Sequence, residues 1–316
     1  MKSMTKNHQS EQVITKMVEH CFPSCQMAGY RELTEGYFNV AYEVILSDGR
    51  HAILKVAPAP GARVMTYEKN IMHAEIQAMD MAKKAGLPAP EVLGSDESCS
   101  VCRSPYFFME KLEGESLNSV KESLAPHQVA AIHREVGSIC RRINEIVCPC
   151  FGYPGQPEFQ GREWYPVFRK MLCAGIEDAG QGGVDLKIDT DMLLKTLERE
   201  RSVFDEVDTP KLVHWDCWDG NIFVKENKVT GIIDWERALW ADPLMEVGFR
   251  TYAPGADFMA GYGLSLTESQ KRRALWYDIY LMVLVSLECE YRQYETMETY
   301  DWASNMLGRQ AGLLGM

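Results

Sequence analysis

The sequence has no run of lysine and arginine, no apolar segment long enough for a membrane and no signal-peptide core, and each absence excludes a class of function. Its 45 acidic and 33 basic residues leave a net charge of −12, with a pI near 5.2. A nucleic-acid partner is therefore not expected, because such binding depends on clustered cations that neutralise phosphates. The longest apolar stretch, Ala274 to Leu287, contains Asp278 and runs for about 14 residues where a bilayer needs about 20. It reads as a buried helix, so no membrane partner is expected either. The opening MKSMTKNHQSEQVITKMVEHCF is too polar for the apolar core of an export signal. Ten cysteines are scattered along the chain, and without a secretion signal reduced thiols and a cytoplasmic location are expected. Cys99-x-x-Cys102 and Cys148-Pro149-Cys150 each lack the second Cys or His pair that would complete four zinc ligands, so zinc is not expected. Repeats, low-complexity tracts and long linkers are missing as well.

With 46% apolar residues and a mean hydropathy of −0.25, the chain suits one large soluble globular domain or two smaller ones. Residues 38–57 alternate in polarity around Asp48-Gly49, which predicts a hairpin. Val40, Tyr42, Val44 and Leu46 share one face of the first strand. On the second, Ala52, Leu54 and Val56 share a face, which sends Ile53 and Lys55 to the other. From about Val64 to Ala85 the apolar spacing turns helical, ending at Gly86. Glu75 falls in that helix's apolar stripe; it sits either at the wet edge or buried with a partner, for which Lys55 is the nearest upstream choice. A strand-like stretch spans 105–114, and helices are predicted from Pro126 onward, near 163–176, 190–206, 268–294 and 300–310. Thr267 and Gln270 form a capping box for the longest of these.

Residues 211–236, KLVHWDCWDGNIFVKENKVTGIIDWE, contain a second hairpin, with Ile222–Val224 and Val229–Ile233 flanking the turn at Glu226-Asn227-Lys228. Its ends collect His214, Asp216 and Asn221 on one side and Asp234 on the other. Singly, these Asp and Asn residues are ordinary turn formers. Together they bring two carboxylates and a carboxamide close, a hard oxygen set suited to Mg²⁺, with Asp216 able to receive a hydroxyl proton.

His-x-Asp-x-x-x-x-Asn followed by an apolar hairpin and Asp is the catalytic-loop and metal-binding pattern of the protein-kinase-like superfamily. HWDCWDGNIFV with GIIDWERALWADP resembles, more narrowly, the aminoglycoside phosphotransferase family of small-molecule kinases. TEGYFNVAYEV resembles its nucleotide-covering loop, AILKV its lysine strand, EIQAMDMAKKAGLPAPEVL the helix that follows, FFMEKLEGESL its hinge, and FGYPG at 151–155 recurs in such enzymes. The resemblance runs from about residue 30 to at least 250. It implies an α+β, protein-kinase-like bilobal fold with a small antiparallel-sheet lobe over 1–111 and a larger, mainly helical lobe over 112–316.

The resemblance also implies roles. Asp216 would be the catalytic base, and Asn221 and Asp234 would hold Mg²⁺. Lys55 would meet the phosphates of ATP or GTP and pair with Glu75, with Glu68 the second choice of partner. Gly36 would lie over the phosphates; Ile53 and Met109 would enclose the base, and the backbone of Glu110 and Leu112 would face it. His214 would brace the loop. The chain departs from the family at Trp215 and Glu246, where Gly and Asp are usual, and in having one glycine in the phosphate loop. It lacks a long activation segment and an A-P-E signature, which disfavours a protein substrate. The acceptor implied is a hydroxyl of a small molecule, either an amine-bearing antibiotic or a metabolite such as an amino alcohol, sugar or macrolide-like compound. A nucleotide-binding protein without transferase activity is the reading from another class. Glu236, Asp278, Glu288 and Tyr291, with Glu290, Glu295, Glu298 and Tyr294, form either an acidic, aromatic wall for a cationic acceptor or a solvated helix face.

Overall fold

The computed structural model describes residues 5–34, 36 and 38–316. Helix α1 (Glu11–Cys21) precedes strands β1 (Met27–Leu33), β2 (Val40–Leu46) and β3 (His51–Val56); α2 (Ile71–Lys84), β4 (Val92–Asp96) and β5 (Tyr106–Glu110) follow. The five strands form one antiparallel sheet in the order β1-β2-β3-β5-β4. Period-2 alternation decides its faces. Val40, Tyr42, Val44, Leu46, Ala52, Leu54 and Val56 pack with Ile14, Met17 and Val18 of α1, while Ile53 lies directly opposite Met109 and Lys55 opposite Phe107 on the other face. The expected hairpin is present, with Gly49 at φ +86° in its turn. The helix expected from Val64 is shorter. Asn70 adopts a left-handed φ of 55°, which confines Thr66–Glu68 to a separate 3-10 turn.

Beyond β5 come β6 (Glu115–Ser116), α3 (Leu117–Val120), α4 (Pro126–Ile143), α5 (Trp164–Gly182) and α6 (Thr190–Arg199). Next are β7 (Lys211–Val213), β8 (Ile222–Lys225), β9 (Lys228–Ile232) and β10 (Leu239–Ala241), then α7 (Ala256–Tyr262), α8 (Glu268–Arg292) and α9 (Glu298–Leu313). This part is mainly helical. The β8–β9 turn is tighter than expected: Glu226 and Asn227 alone form it, at φ 52° and 61°, as a two-residue hairpin turn demands. Helices α4 and α7 cross closely because a Cβ on Gly137 or Gly261 would lie 2.1 or 1.9 Å from a facing carbonyl oxygen. Helix α8, capped by Thr267 and Gln270, is buried on nearly every side, packing against α5, α9 and the short turns Arg201–Phe204 and Pro243–Met245. That burial explains its continuous apolar run, and no described helix is long and apolar enough to cross a membrane.

Candidate active site

Lys55 leaves β3 on the face away from α1 and reaches two carboxylates at once. Its Nζ lies 2.6 Å from Oε1 of Glu75 and 2.7 Å from Oδ1 of Asp234. Glu75 is wholly buried on α2, so the open choice at that position resolves as a buried ion pair. Burial opposes the lysine's charge, but Asp234 and Glu75 more than offset it and hold the ammonium well above its ordinary pKa. Asp234 is likewise disfavoured as an anion by its surroundings, yet Lys55 pulls its pKa below the usual carboxylate value. Glu68 faces elsewhere. The break at Asn70 turns it toward Arg292, at 2.8 Å, and toward the N–H of Met65.

The loop between β7 and β8 is held from beneath. Glu246 accepts hydrogen bonds from the backbone of His214 and Trp215 at 3.0 and 3.1 Å and from the Asn144 amide. Burial pushes its pKa up to about 7. His214, also buried, is pushed down to about 4 and is neutral at neutral pH. Its Nδ1 accepts from the N–H of Asp216 at 3.2 Å while Nε2 meets the Ile233 carbonyl at 3.1 Å, so it braces two loops. Trp215 has a left-handed φ of 65°, an unfavourable backbone for a bulky residue, and its ring stacks on Tyr280 at 5.5 Å. Asp216 is half-buried and accepts from the Asn221 amide, 2.8 Å at its carbonyl and 3.3 Å at Oδ2. Burial raises its pKa, against the pull of Arg237 and Arg250. Asp219, which the sequence pattern did not single out, anchors the loop through Lys121 and His133, both at 2.9 Å.

Asn221 and Asp234 sit on neighbouring backbone, because the N–H of Ile233 donates to the Asn221 carbonyl at 2.9 Å. Asn221 commits its amide nitrogen to Asp216, and Lys55 takes only one oxygen of Asp234. The carboxamide oxygen and the second carboxylate oxygen are left without a hydrogen bond among the described residues, a donor pair that fits Mg²⁺. Among those residues no three His, Cys, Asp or Glu converge as a metal cage, so an ion here would need further oxygens from a ligand. A cavity of about 450 Å³ bounded by Pro58, Ala62, Met72 and Gly155 touches none of Lys55, Glu75, Asp216, Asn221 and Asp234.

Residues 29–275 match the model of APH, the phosphotransferase enzyme family. The chain belongs to this family. Two subtelomeric hrmA-associated cluster proteins from strains of Aspergillus fumigatus are each 32% identical to it over 123 residues, 38% of this chain. The chain spans about a quarter of the length of these curated relatives, the match covering 23% of each. A candidate fructosamine-3-kinase from Thermobifida fusca superposes with a TM-score of 0.69 at 16% identity, covering 95% of this chain and 98% of its own. The streptomycin–ATP complex of APH(2″)-IIa gives 0.62 at 14% identity, with 96% and 97% covered. The APH(4)-Ia complex with AMP-PNP and hygromycin B gives 0.65 at 17%, with the same coverage. At these identities the likeness shows the protein-kinase-like bilobal fold.

The other residues expected to serve the APH site are placed as follows. The N–H of Glu110 is committed to the Glu91 carbonyl at 2.8 Å, whereas that of Leu112 has no partner among the described residues. Gly36 lies before β2, and residues 35 and 37 of the expected phosphate loop fall outside the described residues. Glu236 lies on the Lys55 side, accepting from Asn39 at 3.1 Å, and burial with Asp234 nearby pushes its pKa well above the ordinary value. Asp278 is buried and bonded to the N–H and hydroxyl of Thr251. Glu288 is paired with Arg237 at 2.8 Å and Arg292 at 3.6 Å. Tyr291 donates to the Asp178 carbonyl, with Arg63 over its ring at 4.6 Å, and Glu290 is paired with that same Arg63. The residues that sequence reasoning missed are Arg237 and Arg250, which flank Asp216 electrostatically. No spacing marks them, since neither lies on a periodic element.

Proposed function

We propose that the protein is a phosphotransferase that moves the γ-phosphate of ATP or GTP to a hydroxyl of a small molecule, with residues 1–111 binding nucleotide and 112–316 carrying the loop and the acceptor. The observation that carries this reading is the meeting of Lys55, Glu75 and Asp234 beside Asp216 and Asn221. In such chemistry the protein positions and neutralises. Lys55 would shift from Asp234 toward the phosphates while Glu75 keeps it in place. Asp216 would accept the hydroxyl proton as the acceptor oxygen bonds to the γ-phosphorus and the bond to the β-phosphate oxygen breaks, leaving ADP or GDP. Asn221 and Asp234 would hold Mg²⁺, which offsets phosphate charge.

The neighbours bound to streptomycin, gentamicin or hygromycin B make an amine-bearing acceptor the first reading by analogy. The pairing of Glu288 and Glu290 with arginine weighs against extending it to this chain. The presence of all five charged and amide groups, Lys55, Glu75, Asp216, Asn221 and Asp234, favours nucleotide chemistry over a purely structural cleft. The test is nucleoside diphosphate release from ATP and from GTP, with mass detection of products, across aminoglycosides, macrolides, amino alcohols, sugars and hydroxy acids. Acceptor-dependent release with a product 80 Da heavier, the mass of a transferred phosphoryl group, supports the proposal. Nucleotide binding without transfer to any class would leave the non-catalytic reading in its place.

A further inference from the structure

Two arginines, Arg237 and Arg250, act on the charge of Asp216, and Arg237, like its neighbour Arg292, is neutralised within the protein. Arg292 pairs with Glu68 at 2.8 Å and Glu288 at 3.6 Å, and Arg237 pairs with Glu288 at 2.8 Å. Arg250 is different. Its Nη2 donates to the carbonyl of Trp215, the residue before Asp216, at 3.2 Å, and it makes no ion pair among the described residues. Its Nε is buried without a hydrogen-bond partner. Asp216, Glu246 and Asp278 attract it electrostatically, but none of them reaches ion-pair distance, and their hydrogen bonds go to Asn221, to the loop backbone with Asn144, and to Thr251.

Leaving a half-buried guanidinium short of partners is unfavourable unless something else completes it. Its planar fork of donors matches a carboxylate or a phosphate. We propose that Arg250 is a specificity-determining residue that holds an anionic group, carboxylate or phosphate, on the hydroxyl compound served by Asp216. This rests on the phosphotransferase reading above and names its substrate class. Tyr252 lies close to the same guanidinium, and its ring meets Trp302 at 6.1 Å. Trp302 is 46% exposed, so an aromatic face flanks the cation. The charge of −12 on the whole chain argues for a cationic ligand, but local pairing outranks net charge at contact distance, because solvent and salt screen remote charges. A purely structural role, clamping Trp215 in its left-handed backbone, would use one of the five N–H donors that an arginine carries.

The experiment uses the full chain, MgATP and MgGTP, and matched acceptors: glycerate with glycerol, gluconate with glucitol, glucose 6-phosphate with glucose, and choline and streptomycin as amines. The best acceptor is expected in the anionic half, the carboxylate and phosphate arms deciding which group is held. Arg250→Gln should then raise its KM by about tenfold to a hundredfold, the range for a hydrogen bond to a charged group. The nucleotide KM and the melting temperature should change little, any fall in kcat should be smaller than the rise in KM, and Arg250→Lys should recover part of the loss. A best acceptor that is neutral or cationic overturns the proposal. So does an unchanged KM in Arg250→Gln, a raised nucleotide KM, or an equal loss of kcat and melting temperature that marks a clamp. Absence of transfer to every compound, with nucleotide bound, overturns the phosphotransferase reading and this proposal with it.

Discussion

Lys55 and Asp234, 179 positions apart, meet in a 2.7 Å ion pair that ties the sheet to the loop after β9. The same ammonium pairs with Glu75, which is completely buried. Removing one partner of a buried pair costs roughly 3–5 kcal/mol, because the other charge is left uncompensated. Lys55→Met should therefore lower unfolding stability, and adding Glu75→Gln should restore much of it. A denaturant double-mutant cycle should give a coupling of about 1 kcal/mol or more; additive losses would contradict the pairing.

Trp215 supplies a test of backbone strain. Its left-handed φ of 65° disfavours any residue with a Cβ by about 1 kcal/mol, while its buried ring stacks on Tyr280. Both Trp215→Ala and Trp215→Gly should lose that packing, at about 3–5 kcal/mol. The glycine variant should nevertheless be the more stable of the two by about 1 kcal/mol, the reverse of the order in a helix. Equal or inverted stabilities would show that the strain is absent.

The pH dependence of stability should expose Glu246. A carboxyl raised from 4.5 to about 7 in the folded state contributes stability that is complete below pH 4.5 and lost as the pH rises through 7. His214, lowered from 6.5 to about 4, acts in the opposite sense, losing stability as the pH falls, so the native profile is flattened between those values. Glu246→Gln removes the first slope only. Its stability relative to the native protein should rise by up to about 3 kcal/mol from pH 4.5 to 7, and a difference constant with pH would refute the shift.

Much of this arrangement is legible in the sequence because two periodicities are strict. Alternation in 38–57 places Lys55, and the fixed spacing from His214 to Asn221 places the loop. The tilt of Glu68 is not legible, since it depends on one left-handed residue at Asn70. Helix α1 and strands β1 and β4 escape notice because their patterns are short or weakly apolar. The acidic face of α8 misleads for another reason: Arg237 meets Glu288 only through tertiary packing, which spacing along one helix does not encode, although Arg292, four residues on in the same helix, lies at the spacing of an ion pair with it.

Metal affinity should depend on nucleotide. With Asn221 and Asp234 as the protein ligands and phosphates as the rest, Mg²⁺ should bind weakly alone and much more tightly with ATP or GTP. Calorimetric titration with and without nucleotide reads this directly. Asp234→Asn should weaken the coupled binding, and an unchanged titration in that variant would remove Asp234 from the metal site.

The most direct measurement compares Asp216→Asn with the native protein on the best acceptor, reading nucleotide affinity by equilibrium titration and phosphoryl transfer in a single turnover. The asparagine keeps the shape of the side chain but cannot take the hydroxyl proton. The expected result is an almost unchanged nucleotide affinity and a transfer rate lower by about 10²–10⁴. A native rate of transfer in Asp216→Asn would contradict the account.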